Sequence, residues 1–207
     1  MEVRCTRFVA NTLKEGNQGM SYEGIRISEE FSESTQRAVG ITPRRHETLG
    51  ELVRDMAVRT NFRDEDPVSA RPTRHEVHVS GETFNTNCFG DALALPFVLR
   101  DATFAVRSES PSGGEVRATV TKGGVEASPP EAVVSVGAAR QGDGPVEATV
   151  CPYINAFPTL ADYERWADAT PQAVTIALSP GDAHAVFRHL VSDGSEGDEA
   201  GMARSGS

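Results

Sequence analysis

Lysine is nearly missing from this chain. Lys14 and Lys122 are the only two among 20 basic residues, which face 30 acidic ones for a formal net charge of −10. A surface so short of cations is poorly suited to neutralising a phosphate backbone, which argues against nucleic-acid binding. The acidity is spread over both ends of the chain, as on a solvated surface rather than a binding site. Cysteine is scarce as well: Cys5, Cys88 and Cys151 are all there are. Three thiols with no Cys-x-x-Cys pair suit neither a disulfide framework nor a closed four-ligand zinc site, and they point to free thiols in a reducing cytoplasm. No window approaches the roughly 18 apolar residues of a membrane span. The N-terminus lacks the basic-then-apolar order of a secretory signal. A Gly-rich phosphate loop, a Gly-x-Ser-x-Gly elbow and any fixed-period repeat are also missing.

What is present suits a single ordinary domain, or a small helical module joined to a larger one. The fold class expected is α+β, with a short N-terminal helical region followed by a mostly antiparallel sheet carrying helices on it. Residues 1–24 are polar and unpatterned, so disorder is expected there. Met20 offers a second start, one that would leave Cys5 outside the functional chain. Residues 25–72 form the helical region and linker. A weak helix is expected over 25–40, stopping at Gly40. A stronger one follows Thr48, which with Glu51 makes a capping box ahead of Leu49, Leu52, Val53, Met56 and Ala57 at spacings 0, 3, 4, 7 and 8. Two short helices could serve as a DNA-reading pair, but the acidic balance favours plain packing on a core. The segment 63–74 reads as a polar linker.

From residue 73 the period changes to two. His75-Glu76-Val77-His78-Val79 alternates, Ser80-Gly81 turns, and residues 83–87 pair back. Further strands are expected at 103–109, 115–120, 132–136 and 174–178, with 146–157 as one more extended stretch. Ser179, Pro180 and Asp182 open a last helix with Ala183, Val186, Phe187, Leu190 and Val191 as its apolar stripe. The tail 193–207, rich in Gly, Ser and Glu, is expected to be disordered.

The most informative stretch runs from Asn87 to Leu99. It is apolar on nearly every side after Asp91, as in a buried helix kinked or ended around Pro96. Cys88 stands at its start, where the helix dipole and free N–H groups favour a thiolate. Asp91 lies one turn on, on the same face. A cysteine in such a place is more often a small buried hydrophobe, and the aspartate often only a dipole partner. A second thiol, Cys151, follows the strand-like 146–150 and is expected at a strand end or loop. Two thiolates from distant segments would suit a soft, two-coordinate metal ion. His75 and His78 fall on opposite faces of a strand and His184 and His189 diverge on a helix, so all five histidines are assigned to surface or structural roles.

The Cys88-x-x-Asp91 unit with its apolar run resembles the first catalytic segment of the organomercurial (alkylmercury) lyases. The likeness continues in residues 103–120, in Cys151 falling 63 residues after Cys88, in Phe157-Pro158-Thr159 with Asp162, and in residues 174–178 with Phe187-Arg188-His189-Leu190. It makes 73–192 a catalytic domain of that kind. A further cysteine of well-known members stands here as Ser110, the loop after Cys151 is shorter, and the N-terminal region barely matches. The resemblance implies an enzyme that cleaves the carbon–mercury bond by protonation, with Cys88 and Cys151 binding mercury and Asp91 delivering the proton. Hg(II) would then sit among Cys88, Cys151 and Asp91 as bound product. The partners implied are an organomercurial substrate, low-molecular-weight thiols and a mercuric reductase, with no organic cofactor. A protein of the same fold that only holds Hg(II) or Cu(I), and one whose site is unused, are the rival expectations; a proton donor beside the thiols favours the lyase.

Overall fold

A computed structural model describes residues 21–62, 66–99, 102–142 and 144–192. Cys5, residues 1–20 of the segment 1–24 expected to be disordered, and the tail 193–207 lie outside the described residues, whereas residues 21–24 are ordered because Tyr22 is buried.

Among the described residues, six α-helices and nine strands are arranged as two antiparallel sheets with helices against them, in agreement with the expected α+β class. The chain enters through a 3-10 turn at Tyr22–Gly24, with Tyr22 buried. Helix α1 spans Glu29–Ala38, shorter than expected. Residues 25–27 are extended instead, because Arg26 bridges to Thr48 and the Ser28 hydroxyl caps the helix by accepting from Phe31 N–H. Gly40, at φ +75°, ends it as expected. Helix α2 spans Leu49–Arg59, and both arms of the Thr48–Glu51 capping box are formed. Its apolar stripe turns inward.

The larger sheet runs β1-β3-β2-β4-β5-β6. Strand β1 (Val68–Ser69) lies in the stretch expected as linker and pairs with β3. Strands β2 (His75–Val79) and β3 (Glu82–Thr86) form the expected hairpin, with Ser80 and Gly81 both at positive φ, as a two-residue turn requires. Strands β4 (Phe104–Glu109) and β5 (Glu115–Thr121) follow, then β6 (Gly124–Ser128), which the sequence reading missed. It is an edge strand whose residues are half-buried or exposed and none buried, so its alternation is faint.

The smaller sheet runs β8-β7-β9, from Ala156–Phe157, Val133–Ala139 and Ala173–Leu178. Strand β7 is buried along nearly its whole length because both faces are covered. Val134 and Val136 face the main core, whereas Val133 joins Phe157 and Tyr163 under helix α5 (Leu160–Asp168). Helix α5 was not expected, although Thr159 and Asp162 make an N-terminal cap of the recognised kind.

Helix α3 (Phe89–Val98) runs two residues beyond Pro96, and most of its side chains are buried. Helix α6 (Pro180–Val191) packs along it, with its Ser179 cap as expected. Gly90 makes this approach possible: a Cβ there would stand 2.3 Å from the Phe187 ring. The stretch 146–157 departs most from expectation. It forms a short helix α4 (Val146–Thr149) and a 3-10 turn (Cys151–Tyr153) before β8 begins. Val146 and Val150 gave it a strand-like look, but the Thr149 hydroxyl donates to Ala38 O and the Val150 N–H to Val146 O, which bend the backbone into turns.

Candidate active site

Cys88 is the N-cap of α3, held in extended backbone geometry. The buried Thr86 hydroxyl donates to Cys88 O at 2.9 Å. The Cys88 N–H donates to Asp91 Oδ2 at 2.9 Å, and the Asp91 N–H faces the Cys88 sulfur. This is a capping box in which a thiol stands where Ser or Thr is usual, so the local demand of a helix start also fixes the spacing of thiol and carboxyl.

Cys151 arrives from the other side. The Phe89 N–H, one of the free donors at the start of α3, donates to Ile154 O at 3.2 Å. Ser135 on β7 anchors the same turn, its hydroxyl donating to Tyr153 O at 2.8 Å and accepting from Asn155 N–H at 2.9 Å. Those bonds seat the Cys151 turn against Cys88. As a result the two sulfurs and a carboxylate oxygen of Asp91 all lie within 4.8 Å of one another. The three residues singled out in the sequence, 63 positions apart at their extremes, are therefore brought together. Of the two places expected for Cys151, strand end or loop, it takes the second, at the head of a 3-10 turn in the connection from α4 to β8.

Both cysteines are free thiols and buried. Burial pushes the Cys88 thiol well above its ordinary range, helped by contact with Cys151 and by the charge of Asp91; only the Asp91 N–H acts the other way. This corrects the expectation of a helix start that favours the thiolate. The dipole acts as supposed, but removal from water outweighs it.

An apolar cavity of about 100 Å³ adjoins the three residues. Its lining includes Phe31, Leu52, Met56, Val136, Ile154 and Phe187, drawn from both ends of the chain. The stripe of α2 thus packs on the core, as expected, and also walls this cavity. Among the described lining residues the only other polar side chain is Thr35, whose hydroxyl is buried and has no hydrogen-bond partner. Thr149 and Thr170, by contrast, return their hydroxyls to the carbonyl four residues back. Sequence reading missed Thr35 and Phe187, since a helical threonine and an apolar stripe carry no sign of what they face.

The histidines keep to structural roles. His75 is buried, its Nδ1 2.9 Å from Ser108 Oγ, and burial, with Arg74 adding to it, lowers its pKa to about 4. His78 is exposed on the other face of β2. Ser110, where the resemblance expects a cysteine, is buried at the end of β4, and its Oγ accepts from Ser112 N–H to hold the turn there.

A soft metal–sulfur bond is roughly 2.3 Å long, so one ion fits between sulfurs less than about 5 Å apart, with the carboxyl at its side. A family model described as "MerB: Alkylmercury lyase" matches residues 68–192. Among solved structures, one described as the crystal structure of the mercury-bound form of MerB2 is similar, with a TM-score of 0.51 and 20% identity over 68% of this chain and 72% of that one. At that identity the likeness is one of fold. Among curated proteins nothing matches.

Proposed function

The chain belongs to the alkylmercury lyase family, and from that premise we propose how its own residues cleave a carbon–mercury bond. The substrate is an alkyl- or arylmercury cation carried by an exchangeable ligand, and the products are a hydrocarbon and Hg(II). The observation that carries this reading is the convergence of two thiols and a carboxyl within 4.8 Å, beside an apolar cavity that suits an organic group.

Both reacting thiols begin protonated in this scheme, as burial favours for Cys88. Mercury is a soft Lewis acid, and coordination drives a thiol's proton off. Cys151, the less buried of the two, binds the cation first and displaces its ligand, which leaves with one proton. Cys88 adds as the second sulfur and passes its proton to Asp91, which its own backbone N–H holds in place. Two sulfur donors enrich the metal in electrons and weaken its bond to carbon. Asp91 then delivers the proton to that carbon as general acid, the bond's electron pair forms the C–H bond, and Hg(II) remains between the sulfurs. Two thiol protons enter; one leaves in the hydrocarbon and one with the displaced ligand.

No organic cofactor enters this scheme. Low-molecular-weight thiols remove the ion, a mercuric reductase is its proposed destination, and free thiols suit a cytoplasmic setting. Among the described residues no helix is long and apolar enough to cross a membrane.

The test is hydrocarbon release from methylmercury or phenylmercury with excess thiol. The wild type is expected to release methane or benzene. Cys88→Ala and Cys151→Ala should lose it, and Asp91→Asn should fall by about 10²–10⁴-fold while still binding mercury. Tight mercury binding without hydrocarbon above the thiol-only blank would instead make the protein a soft-metal carrier.

A further inference from the structure

Cys151 has a second side. Besides the apolar cavity, it lines an open groove of about 660 Å³ whose other walls include Arg74, Asn87, Tyr153, Asn155, Trp166 and Gln172. Among the described residues it is the one lining residue the two spaces share. Cys88 lines only the cavity and is 2% exposed, against 9% for Cys151. Of the two cysteines, Cys151 is therefore the one that borders the groove, which offers a route to it separate from the cavity.

The groove differs in chemistry as well. Its lining is mostly polar, and Arg74 is its only charged side chain, since its one histidine, His75, is neutral at physiological pH. Arg37, Arg59, Arg107 and Arg165 are each paired with a carboxylate, whereas Arg74 is exposed and has no such partner among the described residues. Its backbone is fixed all the same, because the Glu109 N–H donates to Arg74 O at 2.9 Å. In a chain of net charge −10, a guanidinium with no carboxylate partner among the described residues, in the groove that Cys151 borders, is a local site for an anion.

We propose that this groove is the docking site of the thiol that removes mercury, and that it takes a small thiol bearing a carboxylate. This rests on the reading above that Cys88 and Cys151 hold the ion. The thiol's carboxylate pairs with Arg74 while its sulfur bonds to mercury. The mercury–Cys151 bond breaks, and the incoming thiol's proton passes to the Cys151 sulfur. A second thiol displaces Cys88 in the same way. Hg(II) departs as a bis-thiolate complex, both cysteines return as thiols, and nothing is oxidised or reduced.

The experiment loads the full chain with one equivalent of Hg(II) and follows its release to 3-mercaptopropionate or to 3-mercaptopropanol, compared at equal thiolate concentration. The wild type should release mercury about two- to fivefold faster to the carboxylate thiol, the size of one exposed ion pair, with the advantage fading at high salt. Arg74→Gln should abolish that preference and Arg74→Lys keep part of it. Single-turnover benzene release from phenylmercury should not change in either variant. An equal rate for the two thiols in the wild type, or an undiminished preference in Arg74→Gln, overturns the docking site. Failure of the wild type to release benzene would instead overturn the lyase reading beneath it, and the two failures are read separately.

Discussion

At the scale of single residues, the cavity joins two costs of burial. The Cys88 thiol is deprived of water and kept from ionising. In the proposed scheme the thiol holds its proton until mercury arrives, and the metal rather than the protein is the agent of deprotonation. The Thr35 hydroxyl is deprived of water and, among the described residues, of a partner as well. A buried donor left unpaired costs on the order of 1–3 kcal/mol. Thr35→Val keeps the shape and the β-branching, so helix propensity hardly changes. It is expected to raise the free energy of unfolding by about 1 kcal/mol in urea titration. A loss of stability would mean that the hydroxyl has a partner in solution.

The elements around the site approach one another more closely than side chains normally allow. Gly137 on β7 faces Thr175 of β9, where a Cβ would stand 2.1 Å from Val174 O and 2.7 Å from Thr175 Cα. Backbone cannot give way as the tip of a side chain can. Gly137→Ala is therefore expected to push β7 from β9 and to cost about 1–3 kcal/mol in thermal or urea unfolding. Because β7 carries Ser135, which anchors the Cys151 turn, the variant should also weaken mercury binding.

For the molecule as a whole, His75 ties stability to pH. It lies between the sheet and α3, its ring 6.1 Å from that of Phe89, and its folded pKa is about 4. An unfolded histidine takes up a proton near pH 6.5. The folded state resists that proton, so the contribution is complete above pH 6.5 and is lost as the pH falls toward 4. The gap corresponds to on the order of 3 kcal/mol. Between those limits the wild type should lose stability more steeply than His75→Gln, measured by urea unfolding at a series of pH values. Parallel curves would show that His75 does not carry the slope. Glu51 and Asp55, whose carboxyls are held below the usual range, act at lower pH: their contribution is present above the ordinary carboxylate pKa and is lost below it.

Local chemistry explains what could be read before any fold was known. The Thr48 and Ser179 caps, the Ser80-Gly81 turn and the strands β2, β4, β5 and β9 are each decided largely by neighbours in the chain, and all are found. So is the pairing of Cys88 with Asp91, because a capping box spans only three residues. The meeting of Cys151 with Cys88 was foreseen by resemblance and not by local pattern, since it depends on a bond from Phe89 N–H to Ile154 O across the fold. The helical turns of 146–153 and the edge strand β6 went unread because distant partners override or supply their local preference. Tertiary structure alone set the balance at Cys88. The sequence correctly implied a dipole at that position, but how much water a side chain loses is a property of everything packed around it.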